Sequence, residues 1–551
     1  MGYPFVDVRR YPVDPEALRL VPMALAVRLQ VLPIAVLGSS VVVAMPDPLQ
    51  FKAIDELEFT AQRKVIPVVA PRADLQARIA EAYRALGLGD DGATLPPVPD
   101  AAAAASAKGR TVEAWQLAVE LAGEAQVEGA DERPIEQSDN TLVKLVNSMI
   151  IEAFHQRASD IHIEPYPGRE KVVIRFRVDG ELRPYLELPA NYRNALIARI
   201  KVMCNLDISE RRKPQDGKIH FRRFGGLPIE LRVATIPTVD GLEDVVLRIL
   251  NSSAPLPLEG LHFNARNLAA IEHILTRPYG LFLCVGPTGS GKTTTLHAAL
   301  QRLNTPKRKV WTAEDPVEIT QRGLRQIQVN AKIGWTFAQA LRSLLRADPD
   351  VIMVGEVRDA ETAEMAIEAS LTGHFVMSTL HTNSAAETVL RLVDLGVDPF
   401  SFADSLQGIL AQRLVRRLCT ACVDYEPLGP QRLREWMQDY QSALPEDHPL
   451  RDAQALEREW RQHFSRDGEL MIAHAPGCPE CGHTGYRGRL ALHELLVSSP
   501  EIRRLIQLRS RPADIQLQAV REGMRTLRQD GIEKALLGLT TLAEVRANCN
   551  V

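Results

Sequence analysis

The fold is decided by Gly286-Pro287-Thr288-Gly289-Ser290-Gly291-Lys292-Thr293. The apolar run Leu281–Val285 comes directly before it and predicts a buried parallel strand, and Thr294–Leu300 directly after it predicts a helix. This is the GxxxxGK(S/T) loop in its strand–loop–helix setting, in which backbone N–H groups and a helix N-terminus surround phosphate oxygens. Lys292 is expected to reach the β- and γ-phosphates, and Thr293 to ligate Mg²⁺. The stretch therefore predicts an α/β domain that binds a nucleoside triphosphate with Mg²⁺.

Two further apolar segments are predicted to be strands that end in carboxylates. Asp350–Glu356 puts Glu356 at the carboxyl end of a strand, where ligands bind in doubly wound sheets, so Glu356 is expected to hold Mg²⁺ or its water. Val310–Ala313 leads into the acidic run Glu314-Asp315-Pro316-Val317-Glu318. One carboxylate of this run is expected to orient or deprotonate the attacking water.

A third predicted strand has a histidine at each end. It lies within Leu371–His381, between His374 and His381. A lone histidine is more often structural than catalytic. Two histidines that bracket a strand ending in Ser378-Thr379 suggest an element that senses phosphate.

Length and composition are those of an ordinary soluble multidomain protein. The 551 residues are too many for one hydrophobic core and predict about three or four domains. Apolar residues make up 45% and charged residues 24%, and a formal net charge of −4 does not call for nucleic acid as a partner. No run of about 18 apolar residues occurs, and no basic segment precedes an apolar one at the N-terminus, so neither a membrane span nor a secretory signal is expected. These features predict a cytoplasmic protein.

Changes in pattern divide the chain into predicted segments. The stretch with Pro96-Pro97-Val98-Pro99 and Ala101–Ala105 is interpreted as a linker, with an exposed alanine-rich helix as the alternative. From about Leu256 to Arg417 strands and helices alternate with short breaks, as in a parallel sheet. The predicted segments are a small α/β module (1–88), a linker (89–138), a second α/β domain (139–252), the domain with the phosphate loop (256–417), a cysteine-bearing element with an insertion (418–489) and a helical C-terminal region (490–551).

Four of the seven cysteines form two CxxC pairs. The pairs are Cys419 with Cys422 and Cys478 with Cys481, the thiolate pattern of structural Zn²⁺. The stretch between them is long for a compact zinc ribbon and holds a polar helical insertion at 432–464, but a longer loop adds little to the entropic cost of closure. An iron–sulfur site and four reduced cysteines without metal are the alternatives. An odd number of cysteines in a cytoplasmic protein argues against a disulfide framework.

Taken in order, these segments resemble the secretion ATPase superfamily of type II secretion, type IV pilus assembly and retraction, and type IV secretion. The matching motifs are Gly286–Thr293 (Walker A), Glu314–Glu318 (Asp box), Asp350–Glu356 (Walker B) and Gly373–His381 (His box). The resemblance implies that Glu318 is the catalytic carboxylate and Glu356 the Mg²⁺-site residue. It implies that His374 and His381 couple nucleotide state to movement. The same pattern places Glu314 and Asp315 at the bound nucleotide.

The segment before the phosphate-loop domain also matches this family. The matching stretches are Ala158–Glu164, Arg177–Gly180 and Arg211–Gly217. By the family pattern Arg232 and Arg248 reach the nucleotide phosphates, where guanidinium groups neutralise charge on the γ-phosphate. Motor-domain arginines of the family are matched by Arg342, Arg346 and Arg358. Surface ion pairs are the alternative for each arginine, and an extra residue at Gly241–Asp244 is expected to shift Arg248.

The resemblance implies a complete architecture and a set of partners. The fold is expected to be α/β and multidomain: a RecA-like P-loop ATPase motor domain, preceded by a PAS-like α/β domain and a small N-terminal α/β module, with a zinc-binding insertion and a helical C-terminus. The chain is expected to form a homohexamer that uses ATP, Mg²⁺ and Zn²⁺. It is expected to associate peripherally with the inner membrane, act on a platform protein there, and power assembly of a type II secretion pseudopilus or a type IV pilus.

Three further expectations separate this chain from its relatives and rivals. The tetracysteine element resembles the type II secretion and pilus-extension ATPases and not the retraction ATPases. Cyclic di-GMP binding by the usual mode is not expected, because the two Arg-Leu-Gly-type segments upstream of Tyr3–Asp7 are missing. The alternatives to an assembly motor are a motor for nucleic-acid uptake or conjugation and a nucleotide-dependent scaffold without turnover. No clustered basic stripe supports nucleic acid as a partner.

Overall fold

A computed structural model describes residues 140–250 and 255–549 without a break, most of 13–46 and 63–85, and isolated positions elsewhere before residue 118. Its contacts divide the chain into two compact units, Met1–Lys108 and Gly109–Val551. The predicted linker 89–138 lies outside the described residues apart from Leu117, and Tyr3–Asp7 does so apart from Val6. Within the described ranges, no helix has both the length and the apolar character needed to cross a membrane.

The first unit contains a three-stranded sheet in order β1-β2-β3. Its strands are β1 (Leu32–Leu37), β2 (Ser40–Met45) and β3 (Lys64–Val69), with helices Pro15–Leu20, Met23–Leu29 and Arg72–Ala85. β1 and β2 are antiparallel, and β2 and β3 are parallel. The apolar stretch from Val31 to Met45, predicted to be two strands joined by a turn, therefore forms β1 and β2.

The second unit begins with a six-stranded antiparallel sheet in order β6-β5-β4-β9-β8-β7. The strands are β4 (Ala158–Glu164), β5 (Val172–Val178), β6 (Glu181–Leu188), β7 (Gln215–His220), β8 (Glu230–Pro237) and β9 (Glu243–Leu250), and the longer helices are Asn140–His155 and Arg193–Met203. Alternate side chains such as Ile161, Phe176 and Leu231 are buried with the helices in one hydrophobic core. The opposite face of β8 and β9 carries Arg232 and Arg248, which are paired across the two strands. We call this region the arginine domain.

A seven-stranded sheet follows in order β12-β11-β13-β14-β10-β15-β18. Its strands are β10 (Gly280–Val285), β11 (Val310–Glu314), β12 (Arg325–Gln328), β13 (Val351–Val354), β14 (Phe375–Leu380), β15 (Leu406–Leu418) and β18 (Tyr486–Val497). The flanking helices are Ala265–Leu275, Lys292–Leu303, Phe337–Leu344, Ala360–Leu371, Ala385–Asp394 and Pro399–Ser405. All neighbours are parallel except β15 and β18. The carboxyl ends of the parallel strands therefore meet at one edge, where the phosphate loop follows β10.

The predicted insertion is helical and packs into the region built around the seven-stranded sheet (residues 255–549), which we call the motor after the domain predicted above. It contains helices Pro430–Gln441 and Ala453–Phe464 between the short antiparallel strands β16 (Asp424–Pro427) and β17 (Met471–His474). Trp436 and Trp460 are buried in the cluster that also holds the C-terminal helices, which are Pro500–Gln507, Pro512–Arg521, Leu527–Leu536 and Leu542–Asn548. The insertion is therefore part of the motor core.

One predicted boundary differs from the structure. The limit between 489 and 490 falls inside β18, which pairs with β15 over most of its length. Leu490, Leu492 and Leu496 are buried in the motor core, so their apolar contacts make this stretch a strand of the motor sheet. The C-terminal region is helical only after Val497.

Candidate functional site

The phosphate loop Gly286–Thr293 joins β10 to the helix Lys292–Leu303, as predicted. The Lys292 ammonium donates hydrogen bonds to the carbonyl oxygens of Gly286 (2.8 Å) and Pro287 (3.0 Å). Burial lowers the pKa of Lys292, and the nearby carboxylate of Glu356 acts in the opposite direction. A cationic lysine with a carboxylate beside it suits a site for phosphate and Mg²⁺.

A polar atom inside the loop supports the same ligand chemistry. The Ser290 hydroxyl oxygen is buried and has no hydrogen-bond partner among the described residues. A buried hydroxyl without a partner is costly, so a ligand oxygen at the loop would satisfy it. Gly291 adopts φ of 88°, and a Cβ there would lie 2.8 Å from the Gln412 side chain. The loop therefore needs glycine at this position both for its conformation and for its close approach to β15.

Gln412 supports the loop from the neighbouring strand β15 and was missed by the sequence analysis. Its Nε2 donates to the Ser290 carbonyl oxygen at 2.7 Å, and its Oε1 accepts from the Thr295 hydroxyl at 2.7 Å. The residue is 2% exposed. The available signal was a glutamine inside the apolar run Ile409–Ala411 and Leu414-Val415, where a buried amide needs partners.

Replacing Gln412 by leucine is expected to weaken nucleotide binding and lower the thermal midpoint. The change leaves the Ser290 carbonyl and the Thr295 hydroxyl buried without hydrogen-bond partners. Each such group lowers the free energy of unfolding by about 1–3 kcal/mol. Isothermal titration with an ATP analogue and a thermal melt measure the two effects. Gln407→Leu on the same strand is the control and is expected to leave the nucleotide Kd unchanged. An unchanged Kd for Gln412→Leu would show that the loop does not need this support.

Glu356 follows β13 at the carboxyl edge of the sheet, as predicted. Its carboxylate forms an ion pair with Arg358 and lies 3.3 Å from His381 Nε2. The Glu356 side chain is 14% exposed, whereas those of Arg358 and His381 are 65% and 49% exposed. A half-buried carboxylate near Lys292, with its remaining partners open to solvent, is placed to hold Mg²⁺ or its water.

Glu314 is not placed to contact nucleotide, contrary to the sequence prediction. It is 4% exposed and accepts hydrogen bonds from Thr312 (2.5 Å), Gln326 (3.0 Å) and His297 (3.2 Å). Burial would raise its pKa, but these hydrogen bonds outweigh burial and lower it. The Glu314 carboxylate therefore fixes β11, β12 and the helix after the phosphate loop relative to one another.

Asp315 and Glu318, unlike Glu314, face the arginine domain. Both are exposed at the carboxyl end of β11. Glu318 Oε1 lies 3.8 Å from Arg232 Nη2 of the arginine domain. Asp315 lines a cleft of about 580 Å³ that has Lys218, Arg232 and Arg248 on its opposite wall. We call this the interdomain cleft.

Arg232 is the cation best placed for an anionic ligand in the interdomain cleft. Its Nε and Nη2 are buried and have no hydrogen-bond partner among the described residues. Burial lowers its pKa, while Glu318 raises it. Arg232 faces the segment after β11, whereas the phosphate loop follows β10, and these two strands are three positions apart in the sheet, about 14 Å.

The remaining predicted arginines are less directly placed. Arg248 Nε donates to Asp160 Oδ1 at 2.8 Å, and its side chain is 55% exposed in the interdomain cleft. Arg342 forms an ion pair with Glu361, and both side chains are exposed. Arg346 is exposed on the motor surface. The described contacts therefore bring Arg232 and Arg358 to the acidic residues of the site, but not Arg342 or Arg346.

His374 lies at the opposite edge of the sheet from the phosphate loop, which corrects the prediction that it acts at the nucleotide site. It precedes β14, at the amino edge of the sheet, and its carbonyl accepts from the Gly280 N–H at 3.1 Å. His381 follows the same strand at the carboxyl edge. The six residues of β14 between them span about 20 Å. Only His381 shares the edge with Lys292 and Glu356.

The four predicted metal ligands converge. The sulfur atoms of Cys419, Cys422, Cys478 and Cys481 all lie within 4.8 Å of one another. Individual Sγ···Sγ distances are 3.9 Å for 419–478, 4.0 Å for 422–481 and 3.8 Å for 478–481. A tetrahedral Zn²⁺ with Zn–S bonds of about 2.3 Å has edges of about 3.8 Å, so the set fits a single zinc ion. A cluster of several iron atoms needs its thiolates further apart.

The backbone around the second pair stabilises a thiolate. The N–H groups of Cys478 (3.1 Å) and Gly485 (3.3 Å) point at Cys481 Sγ. Burial raises the pKa of Cys481, but these donors outweigh it and bring the pKa to about 6. Burial raises the pKa of Cys422 to about 12, and side-chain hydrogen bonds with the other three cysteines act in the same direction. A bound metal cation would offset the negative charge of these four sulfur atoms and favour their deprotonated form.

Comparison with known proteins agrees with the geometry. Residues 135–547 match the family model described as Type II/IV secretion system protein. The chain belongs to the secretion ATPase family. Residues 1–87 of this secretion ATPase match the MshEN domain.

Relatives from two systems are similar to this secretion ATPase. It is 40% identical to the type IV pilus assembly ATPase PilB of Thermus thermophilus, over 99% of this chain and 56% of that protein, so it spans about half the length of that relative. It is 44% identical to the type II secretion system protein E of Pectobacterium carotovorum, over 79% of this chain and 80% of that protein. The crystal structure of Legionella pneumophila DotB matches 73% of this chain and 94% of its own with a TM-score of 0.51 and 24% identity, which supports the α/β fold.

Proposed function

We propose that this secretion ATPase hydrolyses ATP to drive assembly of a type IV pilus or a type II secretion pseudopilus. The observation that carries the proposal is the pairing of a phosphate loop with an interdomain cleft lined by Lys218, Arg232 and Arg248. Cations on one wall and Asp315 on the other suit a polyphosphate with its metal ion. The named relatives belong to both assembly systems, so the two remain joint candidates.

In this proposal each side chain has a separate task. Lys292 and Thr293 bind the phosphates and Mg²⁺, which neutralises phosphate charge when bound. Glu318 accepts the proton of the attacking water, and Glu356 with His381 orients the Mg²⁺ side of the site. Arg232 neutralises charge that develops on the γ-phosphate, with Arg248 beside it.

Movement follows from the distance between the two halves of the site. Arg232 lies beside Glu318 in the segment after β11, and β11 is three strands, about 14 Å, from β10, which leads into the phosphate loop. In this proposal the arginine domain closes over the bound nucleotide and brings Arg232 to its phosphates. ATP binding favours the closed arrangement because the cations then face phosphate, and product release favours the open one. Repeated closure in each subunit of a homohexamer would displace an inner-membrane platform protein that adds or lifts pilin-like subunits.

The location and the N-terminal unit belong to the same proposal. The chain works in the cytoplasm at the inner membrane. By its likeness to the family, we assign the arginine domain as PAS-like and the motor as RecA-like. The N-terminal unit docks a membrane partner.

The tetracysteine element is proposed to hold one structural Zn²⁺. Purified protein is expected to contain about one zinc per chain, since four thiolates complete a tetrahedral site. Cys478→Ser should lose the metal and lower the thermal midpoint, because metal binding contributes directly to folding of such an element. Elemental analysis and a thermal melt, with Zn²⁺ added back after chelation and Mg²⁺ as the control, test this. A metal-free protein with an unchanged melt would contradict it.

The function is tested by ATP turnover with and without the cytoplasmic domain of a candidate platform protein. Turnover that this domain stimulates and that Lys292→Ala abolishes supports the assembly motor. Turnover stimulated only by DNA would indicate a nucleic-acid motor. Nucleotide binding without turnover would indicate a scaffold.

A further inference from the structure

Among the described residues, hydrogen bonds and ion pairs join the arginine domain to the motor at two separate places. At one end, Asp179 Oδ2 in the β5–β6 turn accepts from the Gly488 N–H at 2.9 Å. Beside it, Glu181 at the start of β6 forms an ion pair with Arg416 of β15. At the other end Arg232 of β8 faces Glu318 at 3.8 Å.

The two strand orders explain this arrangement. The β5–β6 turn lies at one edge of the six-stranded sheet and β7–β8 at the other. In the motor, β15 and β18 form one edge, and β11 and β12 the other. The smaller sheet therefore extends across the carboxyl edge of the motor sheet, and β10 with the phosphate loop lies between the two contacts.

We propose that Asp179 and Arg416 are positioning residues for ATP hydrolysis. They fix the β5–β6 end of the arginine domain as a pivot, about which the β7–β9 end closes and carries Arg232 to the nucleotide. This inference rests on the proposed function, because it concerns the same closure.

The motor residues that contact the pivot are themselves bound to several other parts of the motor. Arg416 lies over the Tyr486 ring at 4.3 Å and also pairs with Glu544 of the last helix. The Tyr486 hydroxyl lies 3.0 Å from the Thr541 hydroxyl. Gly485, directly before Tyr486, points its N–H at Cys481 Sγ of the tetracysteine element. The motor side of the pivot is therefore held by contacts from β15, the last helix and the tetracysteine element.

The two ends differ in how tightly they are bound. The pivot has a charge-assisted hydrogen bond to a backbone N–H and an ion pair whose arginine is 23% exposed. At the other end, the described residues form one ion pair, which is longer than a hydrogen bond, beside the open interdomain cleft. Motion is therefore expected at the Arg232 end. Arg416 is also four residues from Gln412 on β15, so one strand supports both the pivot and the phosphate loop.

Asp179 allows a clean pair of variants. It has φ of 52°, a conformation that glycine and asparagine tolerate. Asp179→Gly removes the acceptor without backbone strain, and Asp179→Asn keeps an oxygen acceptor at the same place. Glu181→Gln tests the ion pair separately. Full-length protein is used throughout, with a non-hydrolysable ATP analogue as the ligand.

Hydrogen exchange and kinetics together test the pivot. In Asp179→Gly we expect the Gly488 amide to exchange about tenfold faster or more, since a charge-assisted hydrogen bond is lost. Protection of β8 by the ATP analogue should also be lost, and kcat should fall by a larger factor than the analogue Kd weakens, because the cations of the arginine domain then no longer face phosphate. Asp179→Asn should restore all of these, and Glu181→Gln should lie between.

Unchanged exchange at Gly488, or β8 protection that survives in Asp179→Gly, would overturn the pivot. An equal fall in kcat for Asp179→Gly and Asp179→Asn would also overturn it. A wild-type protein without turnover would instead count against the proposed function, and the exchange measurements would still decide for or against the pivot.

Discussion

Replacing Glu318 by glutamine is expected to lower kcat by about 10²–10⁴-fold, the range for loss of a general base. The amide keeps the size of the side chain but does not accept a proton. The nucleotide Kd should stay near that of the wild type, because Lys292 and the phosphate loop are untouched. Steady-state turnover and titration with an ATP analogue measure the two quantities.

The exposed position of Glu318 makes this a clean test. Its side chain is 39% exposed and its one described ion-pair partner is Arg232, so the substitution should not destabilise the motor core. Glu272→Gln is a matched control on the motor surface, where Glu272 lies 3.7 Å from Arg302. Near wild-type turnover in Glu318→Gln would show that Glu318 is not the general base. Asp315 would then be the next candidate for that role.

Replacing Arg232 by glutamine is expected to lower kcat by about 10³-fold or more, as loss of an arginine that stabilises phosphoryl-transfer charge does. The guanidinium is half-buried and lies next to Glu318, and two of its nitrogen atoms have no hydrogen-bond partner among the described residues. Binding of the ATP analogue should be weakened far less than turnover, since the arginine acts most strongly on charge that develops during the reaction.

Arg248→Gln provides the comparison on the adjacent strand. Arg248 is paired with Asp160 and is more exposed than Arg232, so part of its charge is already satisfied. Its replacement should cost clearly less turnover than that of Arg232. Equal losses in the two variants, measured in the same assay, would contradict the leading role given to Arg232.

The local parts of the site were predictable because they depend on short-range patterns. The apolar runs before Gly286 and Glu356 form buried parallel strands, and the loop between β10 and its helix follows from the glycine spacing. The two CxxC pairs also converged as predicted despite the long insertion, since thiolate spacing within each pair fixes half of the ligand set.

The parts that the sequence did not predict depend on contacts between distant segments. Glu314 looks like its neighbour Asp315 in the sequence, but His297, Thr312 and Gln326 surround it in the fold. His374 and His381 look equivalent, yet the length of β14 separates them. Gln412 supports the phosphate loop from more than 100 residues away. A motif records residue types, whereas strand order decides which of them share an edge.

The central claim is that the phosphate loop supports ATP hydrolysis, and steady-state turnover of purified full-length protein tests it most directly. We predict Mg²⁺-dependent ATP turnover in the wild type and loss of that turnover in Lys292→Ala, whose fold is checked by an unchanged far-UV spectrum. Absence of turnover in every oligomeric form of the wild type, or turnover that survives in Lys292→Ala, would contradict the account.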